Sequence, residues 1–170
     1  MNERQTQPEK GLRHPFAPVA DARAAALVLG SFPSVKSREN AFYYGHPQNR
    51  FWRVLAALFE ETVPIAVDDK IAFLHRNRIA LWDVVAACHI TGSADSTLTP
   101  LAFNDIATLV RHTHIGHIFA NGQTAGNLYR KHLEPSTGLS AHILPSTSPA
   151  NAAWTLEKLI TAWQPLKDAL

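Results

Sequence analysis

Short apolar runs that end in glycine, proline or serine turns alternate with apolar stripes at helical spacing, and this alternation restricts the fold more than any other feature of the chain. Ala24 to Leu29 is the first such run, stopped by Gly30 and Pro33 in the manner of a buried strand feeding a loop. Strands are likewise predicted over Ile79 to Val85, Ile115 to Ala120 and Ala141 to Leu144. Between and after them come helical stripes: Phe51 to about Glu61, a short helix after Asp68 and Asp69, Phe103 to Val110, Ala125 to Leu133, and Trp154 to Trp163. The two aspartates suit the positive end of a helix dipole. The order β-α-β-α-β-α-β-α predicts an α/β fold of three layers, α/β/α, with a short, mainly parallel four-stranded sheet and right-handed crossovers.

A chain of 170 residues buries roughly 70% of its unfolded surface and needs no covalent staple. The polar start, with Pro8, Pro15 and Pro18, reads as a flexible arm over residues 1–19, leaving one domain over 20–170. Cys88 is the only cysteine, which excludes an internal disulfide and every multi-cysteine metal site. The start has no charged-then-apolar layout, and no apolar run approaches the ~20 residues of a membrane span. We therefore expect a cytoplasmic monomer with no membrane partner. His112, His114 and His117 straddle a helix-to-strand turn without an acidic or thiol neighbour, so they are read as solvated or capping, and neither metal nor cofactor is expected. The formal charge is only +2, but Lys36, Arg38, Arg50 and Arg53 face a single acid, Glu39, between Ser34 and Arg53. That local excess suits a polyanion, or is simply a solvated basic face.

In a parallel sheet, ligands bind beyond the C-terminal strand ends. The loops leaving those ends are Gly30 to Asn49, Asp83 to Pro100, Asn121 to Thr124 and Pro145 to Asn151. The stretch from Cys88 to Pro100 has no period and reads as a long functional loop. The first loop joins Gly30-Ser31-Phe32-Pro33-Ser34 to Tyr43-Tyr44-Gly45-His46-Pro47-Gln48-Asn49-Arg50-Phe51-Trp52, placing aromatic, amide and cationic groups together. Such a mixture can grip a planar ring and a phosphate at once.

These stretches, with Pro145-Ser146-Thr147-Ser148-Pro149, resemble the two signature motifs of the uracil-DNA glycosylase superfamily, most closely its hypoxanthine-DNA (deoxyinosine) glycosylase branch. The resemblance runs from about Leu27 to Trp163. It implies a cofactor-independent enzyme that flips a deaminated base out of DNA and hydrolyses its N-glycosidic bond. Many members carry Asp or Asn directly after the first glycine of motif one, where this chain has Ser31; Asn49 is the candidate to take over that role. Glycosidic cleavage passes through an oxocarbenium-like state, so a group that orients water can assist without being a strong base. Asn49 is equally read as the cap of the helix that follows.

The resemblance further implies that Phe32 stacks on the flipped base, a contact of roughly 1–3 kcal/mol in nucleic-acid sites. Tyr43 and Tyr44 either shape the pocket wall, the role expected of Tyr44, or close the loop. Asp83 stands where uracil-reading relatives often have Asn; an ionised Asp only accepts hydrogen bonds, which suits the N1–H of hypoxanthine or xanthine. Asp83 could instead cap a loop or pair with Arg50. His46, Arg50, Ser146, Thr147, Ser148 and Gln123 are expected to contact DNA, the serines through hydroxyls and the Gly122-Gln123-Thr124 turn through N–H groups. Two further readings stand beside this one: a nucleic-acid-binding module of the same fold that lacks turnover, and a glycosylase acting mainly on uracil or xanthine. A serine hydrolase using Ser31 or Ser34 with His46 ranks last, because the Gly-x-Ser-x-Gly elbow is absent.

Overall fold

The computed structural model describes residues 11–91 and 94–170. The chain opens with β1 (Leu12–Arg13), β2 (Ala26–Gly30), α1 (Val35–Asn40), α2 (Phe51–Leu58) and α3 (Val67–Arg76). It continues through β3 (Ile79–Asp83), β4 (Val85–His89), β5 (Thr99–Phe103), α4 (Ile106–Arg111), β6 (His117–Asn121) and α5 (Gln123–His132). The last elements are α6 (Glu134–Thr137), β7 (Ala141–Leu144) and α7 (Leu156–Asp168).

Four strands form a wholly parallel sheet in the order β3-β2-β6-β7. Every residue of β2 is buried, as expected for a strand covered on both faces. Alternation along it divides the core. Ala26 and Val28 face Phe51, Leu55, Phe73, Leu159 and Trp163 from α2, α3 and α7. Leu27 and Leu29 face Ile106, Ala125 and Tyr129 from α4 and α5. The three-layer α/β/α arrangement with a four-stranded parallel sheet is therefore the one predicted, to which β1, β4, β5, α1 and α6 are additions.

Three departures from the sequence reading matter for the site. First, the predicted strand over Ile79 to Val85 breaks at Val84: its N–H donates to Gly30 O at 2.8 Å, and the chain then leaves the parallel sheet as β4. Second, the stretch expected as one long loop contains the end of β4 and the start of β5, which pair antiparallel. Pro100 lies in β5, an edge strand of this second sheet, where a missing N–H is tolerated. Third, the expected arm is part of the fold from Gly11 onward. β1 pairs with β4, His14 N donates to Ala86 O at 2.8 Å, and Val19 bridges Leu81. Residues 1–10 of that arm lie outside the described residues.

Candidate active site

The loops at the C-terminal strand ends enclose a cleft of about 820 Å³. Its lining includes Ser31, Phe32, Tyr44, Asn49, Asp83, Gln123, Ser146, Thr147 and Ser148. Residues from both motifs thus meet at one cavity.

The floor is built where β2 and β3 end side by side, with Gly30 opposite Asp83. A Cβ on Gly30 would lie 2.3 Å from Asp83 Oδ1 and 3.3 Å from the Tyr44 hydroxyl, so only glycine lets these two groups converge there. Asp83 is buried and takes a 2.7 Å hydrogen bond from His14 Nε2 on its other oxygen. Tyr44 has a left-handed backbone, φ 53°, a conformation that costs a non-glycine residue about 1–3 kcal/mol. Its ring is stacked on Phe51 at 4.0 Å, which holds it there. The Tyr44 hydroxyl is buried near Asn121 and Asp83 but forms no hydrogen bond of normal geometry. Burial, with the Asp83 charge nearby, pushes its pKa well above the ordinary phenol value, so it stays a neutral O–H.

Asn49 is positioned by three loops at once. Its Oδ1 accepts from Phe51 N at 3.0 Å and from the Thr147 hydroxyl at 2.9 Å. Thr147, fully buried, accepts in turn from Asn121 Nδ2 at 3.0 Å, and its own N–H donates to Asn121 Oδ1 at 3.0 Å. A backbone N–H can only donate, so the Asn49 oxygen is identified unambiguously and both its lone pairs are engaged. What Asn49 can offer a ligand in the cleft is its NH₂ group.

At the mouth, the Ser31 hydroxyl donates to Asp95 Oδ1 at 2.8 Å. Asp95 belongs to an exposed single turn, Asp95–Thr97, yet its carboxyl is tucked into the cleft wall. Desolvation raises its pKa above the usual carboxylate range, the Ser31 bond opposes this, and Asp83 adds to the rise. Phe32 also lines the cleft, 8% exposed, with the Arg38 guanidinium 5.8 Å from its ring centroid. Ser146 Oγ accepts from Ser148 N, and Ser148 Oγ from Ala150 N, so each hydroxyl keeps its own proton to donate.

A family model described as the uracil DNA glycosylase superfamily matches residues 17–167. The chain belongs to that superfamily. It is 36% identical over 142 residues to a protein named hypoxanthine DNA glycosylase from Methanosarcina acetivorans, covering 82% of this chain and 89% of that one. It is 34% identical over 138 residues to a protein of the same name from Methanosarcina barkeri, covering 80% and 86%. A solution NMR structure from M. acetivorans, provisionally described as a uracil DNA glycosylase, is similar with a TM-score of 0.75 at 32% identity, covering 94% of this chain and 98% of that one. Family and relatives together make this chain a DNA N-glycosylase whose substrate is DNA.

Within the glycosylase, two residues expected to contact DNA do not line the cleft. Arg50 donates to the carbonyls of Trp154, Ser148 and Asn151, and its Nε is buried, so it clasps the second motif loop instead of facing a phosphate. The alternative pairing of Arg50 with Asp83 is replaced by His14. His46 takes the Gln48 N–H on its ring at 3.0 Å and does not line the cleft. Neither Ser31 nor Ser34 pairs with it, since Ser31 bonds Asp95 and Ser34 caps α1, which leaves the serine-hydrolase reading without its dyad. Tyr43 closes the loop by donating to Ala17 O at 2.8 Å, whereas Tyr44 faces the cleft. His112 bonds Thr108 O through Nδ1. Sequence reasoning missed His14, Asp95 and Asn121. Asp95 lies in the stretch singled out for its composition, but the other two act through partners 69 and 26 residues away, which no local pattern reports.

Proposed function

We propose that the protein excises hypoxanthine from DNA, reading the base by the edge that deamination changes. In adenine a ring nitrogen acceptor sits beside an amino donor; in hypoxanthine a ring N–H sits beside a carbonyl. The observation that carries this reading is the pair at the floor: a carboxylate oxygen of Asp83, which accepts, beside the unpartnered Tyr44 hydroxyl, which donates. The pair suits N1–H and O6 of hypoxanthine and opposes the same edge of adenine. Uracil and xanthine share the imide pattern, so weaker action on both belongs to the same reading. The names of the two archaeal relatives support hypoxanthine first.

Phe32 stacks on the flipped base. The C1′–N9 bond breaks with its electron pair leaving on the base, and the oxygen of water bonds to C1′. Asn49, limited to donation, stabilises the negative charge gathering on the departing base. Ser31 and Asp95 present a hydroxyl and a carboxylate to the water, whose proton passes by way of Asp95 to the base. Ser146 and Ser148 hold the backbone. All of these groups come from one chain, and the protein acts as a monomer.

The test is a set of matched duplexes carrying hypoxanthine, xanthine, uracil, a G·T mismatch or unmodified adenine, treated with alkali after incubation. The hypoxanthine strand should be cut fastest and the adenine strand not at all. Uncut strands in every duplex would leave a binding module in its place.

A further inference from the structure

We infer that His14 is a positioning residue for base selection: by donating from Nε2 to Asp83 Oδ2 it holds Asp83 as a pure acceptor, with Oδ1 left to the cleft. The inference rests on the reading of Asp83 and Tyr44 above and extends it to a segment of chain outside both motifs.

The geometry identifies the proton. Phe16 N donates to His14 Nδ1 at 3.4 Å, so Nδ1 carries a lone pair, and the ring proton belongs on Nε2, 2.7 Å from Asp83 Oδ2. Both side chains are almost fully enclosed, at 4% and 5% exposure. The imidazole is walled by Phe16 at 5.0 Å, Phe32 at 6.0 Å and Tyr43 at 6.1 Å between centroids, which leaves it little room to turn. The pairing of β1 with β4 carries the segment beneath the floor.

The chemistry explains why such a donor is needed. Among the described residues, the other charged or titratable groups near Asp83 are Tyr43 and Tyr44, whose pKa values its charge raises, and Asp95, a second acid. Asn104 Nδ2 donates at 2.8 Å, but only to the Asp83 backbone carbonyl. None of these provides a side-chain donor to the carboxylate. A buried carboxyl without one favours its protonated form, and a protonated Asp83 would present an O–H to the base. That O–H would repel N1–H of hypoxanthine and accommodate N1 of adenine. His14 therefore protects the sign of the recognition.

The experiment uses the full chain and the variants His14→Leu and His14→Gln, assayed by single-turnover release from the hypoxanthine duplex across a pH range. The Gln amide can donate from the same place and Leu cannot. His14→Leu should lose roughly tenfold or more of the rate at neutral pH, as expected when a hydrogen bond to a charged group is removed. Part of that loss should return at higher pH, while His14→Gln should stay within about threefold of the parent. Equal rates for His14→Leu and the parent, or an equal loss in both variants with an unchanged pH profile, overturns the inference. Nitrogen-15 spectra of the parent imidazoles decide the matter even if His14→Leu does not fold: a proton on Nε2 of His14 is expected, and its absence overturns the proposal. A parent inactive on hypoxanthine defeats the functional reading, and the spectra still judge the His14 proton separately.

Discussion

The hydroxyl of Thr147 donates to Asn49 Oδ1 over 2.9 Å, joining loops 98 residues apart in the chain. Because the same hydroxyl accepts from Asn121, it relays one loop's order to another and sets which end of the Asn49 amide is free. Thr147→Val removes the acceptor of Asn121 Nδ2 and one donor to Asn49 Oδ1, each lost bond costing about 0.5–1.5 kcal/mol of stability. It should also lower single-turnover release by roughly tenfold, as the amide loses one of its two anchors. Thr147→Ser should retain both properties. Thermal melts and single-turnover assays on the three proteins check this.

Asn49 can only donate to a ligand, so Asn49→Asp is more informative than removal of the side chain. The carboxylate would keep the bonds from Phe51 N and Thr147, leaving the fold intact, but it has no N–H to give. Release should fall by about 10²-fold or more, the scale of losing a donor to transition-state charge. Binding to an abasic-site duplex should persist. An active Asn49→Asp enzyme would show that the residue works as an acceptor.

In Asp83→Asn the His14 proton claims the amide oxygen, which turns the NH₂ toward Gly30 and the cleft. The imide edge then meets two donors. Hypoxanthine release should drop by about 1–3 kcal/mol in transition-state stabilisation, the range of one base-edge pair. Rate constants for hypoxanthine and uracil duplexes in parent and variant test it; an unchanged hypoxanthine rate removes Asp83 from recognition.

Asp95 gives opposite signs for activity and stability. Its folded pKa is raised, first by desolvation, so folding favours the protonated form. The stability it contributes is fully present below the unfolded value of 3.8 and is lost as pH rises through the raised value. Activity, which uses the carboxylate, should climb across that same window. Asp95→Asn should raise the melting temperature at neutral pH, flatten its acid-side pH dependence and lower the release rate. Melts and rates recorded over the same pH series check both signs.

Arg50 should behave as a structural residue. Three backbone carbonyls accept from its guanidinium, and each hydrogen bond to a charged donor is worth about 1.5–3 kcal/mol before any compensation. Arg50→Lys cannot reproduce that fan of bonds and should destabilise the protein measurably. The salt dependence of DNA binding should keep its slope, because no phosphate contact is lost. A shallower slope in Arg50→Lys would return the residue to the DNA interface.

The α/β class, the parallel sheet and the place of the cleft were all readable from residue order, because apolar periodicity and turn residues are local signals. Gly30 ends a strand, and Asn49 and Ser146 mark loops, by residue type and spacing alone. The second sheet was not readable. β4 follows β3 after one residue, β5 contains a proline, and β1 has only two residues, so each owes its strand conformation to partners distant in sequence.

What residue order alone established is therefore which groups stand at the strand ends and which family grammar they follow. Folding decided how those groups are used: Arg50 turned inward, His14 drawn beneath Asp83, and the Asn49 amide locked with its oxygen away from service. The physical reason is that a side chain's chemistry depends on the donors and acceptors packed against it. Those partners here lie 69 to 104 residues away, beyond the reach of any local pattern.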